Sequence, residues 1–166
     1  MAKVISFGFS VAEITKAIKE VENFKAEINY KTKILAERLA EEGVYIARVN
    51  IAEEGAIYSG ELISSLDTEY QGSTKDGATW VTYTDCAWAP FVEFGFGIIG
   101  SENPHPMTSL VSWKYDVNEH GEKGWFYEKD GQWFWSQGQP SKPFMWETAI
   151  ELRKRVNAIA KEVFAK

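Results

Sequence analysis

From Ser10 onward the apolar residues Val11, Ile14, Ile18, Val21, Ile28, Leu35 and Leu39 recur at alternating steps of three and four, with Lys25 and Thr32 in the two intervening places. That spacing lines them along one stripe of an α-helix. Ser10, with Glu13 three residues on, supplies a capping box to start it. Gly43 interrupts the stripe, but Val44, Ala47 and Ile51 resume it, and a glycine inside a helix costs only about 1 kcal/mol. The spacing therefore predicts a helix over about 10–53, with a kink at Gly43. The part from Ser10 to Glu42 alone would reach about 45–50 Å at roughly 1.5 Å per residue, longer than a chain of 166 residues can bury on one core. Part of it must project or pack against another subunit. The competing reading is a break near Asn29, with two helices folded on one core.

The remainder alternates turn signals with β-prone runs. Ala56 to Leu66 reads as a corner between helix and sheet, in which Ser59 caps a short turn and Leu62 and Leu66 share a face. The runs 66–71 and 79–84 flank turn residues 72–77 and predict a β-hairpin. In its second strand Trp80, Thr82 and Thr84 make a mixed face and Val81 and Tyr83 an apolar one. A second hairpin is predicted over 124–128 and 132–136, with Lys129-Asp130-Gly131 as its turn. Its rings are too many for one small sheet to hide on one face, so some should meet a partner. Between the hairpins, 98–122 reads as an irregular insertion, with 107–117 a short helix or an excursion. At the C-terminal end Ser141 is placed to cap, and Pro143 to open, a helix over about 142–164. Its stripe is Ala149, Leu152, Val156, Ile159 and Val163. The whole is expected to be a single α+β domain over 1–166: a long N-terminal helix, an antiparallel sheet built from hairpins (β-rich over about 66–136), and a C-terminal helix packed on the sheet and the first helix.

Charge and composition narrow the function classes. A net charge of -6 and a pI near 5.1 lack the basic stripe of a phosphate-gripping surface. Cys86 is the lone cysteine, so no internal disulfide forms; with no leader pattern at the start, synthesis in a reducing cytoplasm is expected. No apolar run approaches the roughly 18 residues a membrane span needs. His105, between two prolines, and His120, in the turn Asn118-Glu119-His120-Gly121, have no second ligand at zinc spacing. Cys86 has no recognisable base and reads as a small packing residue. Asp85 and Glu93 as a glycosidase pair would need a defined separation across a cleft, for which the pattern gives no support. Gly95-Phe96-Gly97 has no Lys or Ser/Thr at phosphate-loop spacing. No catalytic residue, metal or cofactor is expected.

One stretch organises the rest: Cys86-Ala87-Trp88-Ala89-Pro90-Phe91-Val92-Glu93-Phe94-Gly95-Phe96-Gly97, an aromatic turn carrying a single carboxylate. Its two glycines let the backbone take positive φ or approach another chain closely. Three blocks, in order, resemble the tail-completion or head-tail joining family of long-tailed bacteriophages. Ser59-Gly60-Glu61-Leu62-Ile63-Ser64-Ser65-Leu66 is similar to the family's Thr-Gly-x-Leu-x-x-Ser-Ile. Trp88 to Gly97 is similar to Tyr-Ala-x-Phe-Val-Glu-Phe-Gly-Thr-Gly, and Gln139-Pro140-Ser141-Lys142-Pro143-Phe144-Met145 to Gln-Pro-Ala-Arg-Pro-Phe-Met. Ser59 for Thr keeps the capping hydroxyl. Phe96 for Thr exchanges a hydroxyl for a ring, and Lys142 for Arg loses the bidentate fork.

The resemblance implies a non-enzymatic virion protein, made in the bacterial host cytoplasm, that forms a homo-oligomeric ring at the head-tail junction. The ring would be a hexamer meeting a head-completion or connector protein on one side and a tail terminator or tail tube protein on the other. DNA would pass through its lumen without specific binding. Trp88, Pro90, Phe91, Glu93, Phe94, Gly95, Phe96, Gly97, Pro140, Pro143 and Phe144 are the expected assembly interface. The alternatives are a tail-terminator ring or a carbohydrate- or surface-binding module that stacks sugars on Trp125, Trp133 and Trp135.

Overall fold

The computed structural model describes residues 4–75, 77–115 and 123–165. Asp76 of the first hairpin turn, the end of the 107–117 stretch, and His120 with its turn lie outside the described residues. The element order is α1 (Val11–Glu53), α2 (Glu61–Ser64), β1 (Leu66–Thr74), β2 (Gly77–Thr84), α3 (Ala89–Phe94), α4 (Gly97–Glu102), α5 (Thr108–Val111), β3 (Trp125–Lys129), β4 (Gln132–Ser136), β5 (Gly138–Gln139) and α6 (Phe144–Ala165). The fold is α+β. Among the described residues, β1 to β4 form two separate two-stranded antiparallel sheets, β1-β2 and β3-β4, and β5 makes only isolated bridges.

α1 is one helix of 43 residues, and Asn29 and Gly43 both lie within it. The capping box forms as expected, with Glu13 N–H donating to Ser10 Oγ and the Ser10 N–H donating to the Glu13 carboxylate. At Gly43 the absence of a side chain serves packing: a Cβ there would lie 2.6 Å from Thr82 Oγ1 and 3.1 Å from Leu152 Cδ1. The notch lets β2 and α6 approach the same turn of α1.

α6 runs antiparallel to α1 and packs chiefly against it. The pairing is fixed at one end by Asn50 Nδ2, which donates to Phe144 O and Thr148 Oγ1, then by Arg155 with Glu42 and by Arg38 with Glu162. The first hairpin lies against the same helix. Thr82 Oγ1 donates to Ala40 O at 2.9 Å, and Asn29 Nδ2 donates to Lys75 O at the hairpin tip. The hairpin thus turns its mixed Trp80/Thr82/Thr84 face inward and leaves Val81 and Tyr83 exposed. With that face inward, the Thr82 hydroxyl reaches the backbone carbonyl of Ala40 on α1.

The core gathers at the C-terminal end of α1, around Val44, Ala47, Ile51, Leu62, Leu66, Cys86, Ala89 and Phe144. Leu62 and Leu66 share that core, and Cys86 packs there as a small apolar side chain. The other half of α1 is different. Beyond the hairpin tip, near Asn29, Val11, Ile18 and Val21 are more than half exposed. The helix projects from the body. Among the described residues, no helix is long and apolar enough to cross a membrane.

Candidate functional site

The aromatic stretch forms two short helices, α3 and α4, joined at Gly95-Phe96, and Glu93 near the end of α3 points inward. The Glu93 side chain is held among buried groups, the residue being 8% exposed. Met145 N–H donates to its Oε2 at 2.8 Å, and Trp146 N–H donates to its Oε1 at 3.0 Å. These are backbone donors of the first turn of α6, so Glu93 caps a helix whose start lies more than fifty residues away in sequence. A negative charge suits that position, because the orphan N–H groups and the helix dipole both favour it.

The third partner is His105. Its Nε2 lies 3.1 Å from Glu93 Oε1, while Met107 N–H donates to its Nδ1. Nδ1 being an acceptor, Nε2 carries the hydrogen and donates to the carboxylate. Both ring nitrogens are therefore engaged. Burial pushes the Glu93 carboxyl above the ordinary glutamate range, against the Met145 and Trp146 backbone donors and His105, which pull it down.

Backbone contacts tie the same two segments together. Lys142 N–H donates to Val92 O, Ser141 Oγ donates to Glu93 O, and Gln139 Nε2 donates to Phe91 O. Phe96 and Gly97 form bridges with Gln139 and Gly138. Gly95 has φ of 74°. A Cβ on it would fall 2.6 Å from Ser141 N, and one on Gly97 2.6 Å from Gln137 O. The close approach that these glycines permit is to this chain's own 137–141 segment. Ser141 accordingly does not cap α6, as its place in sequence suggested; its hydroxyl is spent on Glu93 O, and the Glu93 carboxylate takes over the cap.

The fold gathers the eleven residues expected at an assembly interface in or beside this one knot, but it turns several inward. Phe144 is 1% exposed in the core. Phe94 stacks on Trp113 at 5.1 Å and lies 4.7 Å from the His105 ring. Phe96 sits between Phe91 and Trp125, and Pro140 and Pro143 are half-buried. Pro90, Phe91 and above all Trp88, 61% exposed, face outward. His105, Trp113 and Lys142 take part in the knot although they were not among the residues expected at the interface. Trp113 Nε1 donates to Gly95 O, and Lys142 Nζ donates to Gly55 O, where it ties the third block to the end of α1. The available signal was His105 itself, a polar ring set between two prolines in a stretch otherwise read as loop.

Beside the knot lies an apolar groove of about 680 Å³, between the Ala56–Ile63 corner and the outer side of α3. Tyr58, Ile63, Trp88, Phe91, Phe96 and Trp125 line it. Lys129 Nζ stands 4.2 Å over the Tyr58 ring and links the groove's edge to the tip of the second hairpin.

On that hairpin Phe126 faces Trp135 and Glu128 faces Trp133. Directly opposed residues share a face and alternate residues return to it. Trp133 and Trp135 therefore stand together, while Trp125, opposite Ser136, stands on the other face. The three indoles do not form one stacking platform.

Compared with known proteins, the chain matches no family model, no curated protein and no solved structure.

Proposed function

We propose that this protein is a non-enzymatic structural subunit of a long-tailed phage or prophage, forming a ring at the head-tail junction. It completes the tail and joins it to the head connector. The observation that carries the reading is the placement of exposed apolar surface at two unlike ends of one rigid helix. At one end is the uncovered stripe of Val11, Ile18 and Val21. At the other are the groove and the aromatic hairpin, on which Phe126, Trp133 and Trp135 are at least half exposed. A ring closes through a heterologous contact, in which one surface meets a different surface of the neighbour. A chain with two unlike apolar ends is built for that contact.

The phage setting rests on the resemblance of the three sequence blocks. The convergence of the second and third blocks on Glu93 supports it, since it gives their residues a shared structural reason to occur together. The acidic chain, with net charge -6, suits a wall along which DNA passes without adhering. The partners are then a head-completion or connector protein on one face and a tail terminator or tail tube protein on the other.

Mass by light scattering across a wide concentration range, followed by negative-stain imaging, tests the proposal. The expected result is a six-fold ring with a central hole of about 20 Å or more, enough for duplex DNA. A chain that stays monomeric at every concentration, and that purified connectors and tails fail to recruit, would overturn it.

A further inference from the structure

Residues Val4 to Phe9 precede α1 as an apolar arm without helix or strand, in which Ile5 and Gly8 are half-buried. Val4 is 84%, Phe7 58% and Phe9 96% exposed. Two benzyl rings and a branched side chain standing in water are an unfavourable state that burial against an apolar partner relieves. The apolar groove is its counterpart: a slot walled by Trp88, Phe91, Phe96 and Tyr58, with a volume in the range of sites that enclose a compact apolar ligand.

The arm cannot enter the groove of its own chain. It joins α1 at Ser10, and the groove begins at Ala56, just past the helix's other end. The 43-residue helix between them is about 64 Å long at roughly 1.5 Å per residue. Residues 4–10, fully extended, span only about 25 Å. A neighbouring copy is not so restricted.

We propose that the Val4–Phe9 arm of one subunit inserts into the Tyr58/Trp88/Phe96 groove of the next. The inference rests on the ring reading and names its contact. The exposed parts of Val4, Phe7 and Phe9 amount to roughly 400 Å². Val11, Ile14 and Ile18, which follow on the same projecting helix, bring the apolar surface near the roughly 800 Å² per partner of a standard interface. The other exposed aromatic element, the β3-β4 hairpin, is a poorer occupant because its rings already pair across the strands, Phe126 with Trp135 at 4.8 Å and Tyr127 with Phe134 at 5.7 Å. The contact is head-to-tail, so each subunit gives one arm and receives another.

Two full-length proteins, both carrying Cys86→Ala to remove the native thiol, test the contact directly. One carries Phe7→Cys and the other Ile57→Cys, at the groove's edge. Mixed and oxidised, they should give a cross-linked heterodimer well above the dimer either forms alone; a mixture with no such excess overturns the insertion. As a second measurement in the native-thiol chain, Phe7→Asp and Trp88→Ala should each weaken self-association at least ten-fold. The double variant should add little to either, since both act on one contact. Assembly unaltered by Phe7→Asp would overturn the arm and leave the ring reading standing. Cross-linked pairs without closed rings would uphold the arm and count against the ring. Absence of the cross-link, together with a wild-type chain that neither self-associates nor is recruited by purified connectors and tails, would overturn both.

Discussion

Replacing Glu93 by alanine withdraws the acceptor from three donors at once: Met145 N–H, Trp146 N–H and His105 Nε2–H. A buried donor left without a partner costs about 1–3 kcal/mol, and loss of a helix cap alone costs about 1 kcal/mol. Water reaching the freed start of α6 offsets part of this, so about 3–5 kcal/mol is expected. For a chain of this size each kcal/mol moves the melting temperature by roughly 2–4 °C, which puts the expected fall at about 6–20 °C. Against a typical stability of about 5–15 kcal/mol, the variant should still fold. Urea denaturation followed by far-UV circular dichroism gives the free energy, and calorimetry the melting temperature. Glu102→Ala, at an exposed position on α4, is the control and should change stability by less than about 0.5 kcal/mol. A loss below about 1 kcal/mol in Glu93→Ala would refute the cross-chain cap, since it would mean that these donors find equivalent partners without the carboxylate.

Three further outcomes follow from the same geometry. Burial raises the Glu93 carboxyl above its ordinary value of 4.5 in the folded chain, so the folded state holds that proton more tightly than the unfolded state does. The group's contribution is therefore complete below the unfolded value and is lost as pH rises through the raised one. Urea midpoints should show wild-type stability falling relative to Glu93→Gln, whose amide does not titrate, as pH rises from 4.5; a relative rise would mean that the donors outweigh burial. Gly95→Ala should cost at least about 2 kcal/mol, joining backbone strain to a collision with Ser141 N. Gly131→Ala, at a similar φ of 76° but with nothing within 4 Å, should cost only about 1–2 kcal/mol; equal losses at the two sites would remove the collision from the argument. Gly43→Ala, which in an open helix would stabilise by about 1 kcal/mol, should instead destabilise by about 1–3 kcal/mol because its Cβ meets Thr82 and Leu152. A gain in melting temperature would show that the hairpin and α6 yield easily there.

What could be read in advance was what is local. The three-and-four spacing of α1, the Ser10–Glu13 capping box and the two hairpins are written in neighbouring residues, and each appears close to its expected bounds. What escaped was long-range pairing. Nothing near Glu93 in sequence says that it will cap a helix starting at Phe144, and a local rule offers Ser141 for that task. The hairpin's inward face was equally hidden, because its contact with α1, Thr82 with Ala40 O, spans 42 residues. That the two hairpins form separate sheets rather than one is likewise a property of the assembled chain. Within the candidate site, the residues marked by the resemblance are neighbours in space, but only the fold divides the outward Trp88, Pro90 and Phe91 from the inward Glu93 and Phe144.

An unbroken α1 also sets a phase. Each helical residue adds about 100° of rotation and 1.5 Å of advance, so the direction in which Val11, Ile14 and Ile18 face is locked to the direction in which Val44 and Ile51 enter the core. One residue inserted between Glu22 and Phe24, ahead of the Asn29 contact with the hairpin tip, would swing the projecting stripe by about a quarter-turn and leave that contact in place; an insertion of seven would restore the bearing within roughly 20° while lengthening the arm's reach by about 10 Å. The helix is thus a crankshaft as well as a spacer, and any assembly made through both ends inherits its angle from the residue count between them.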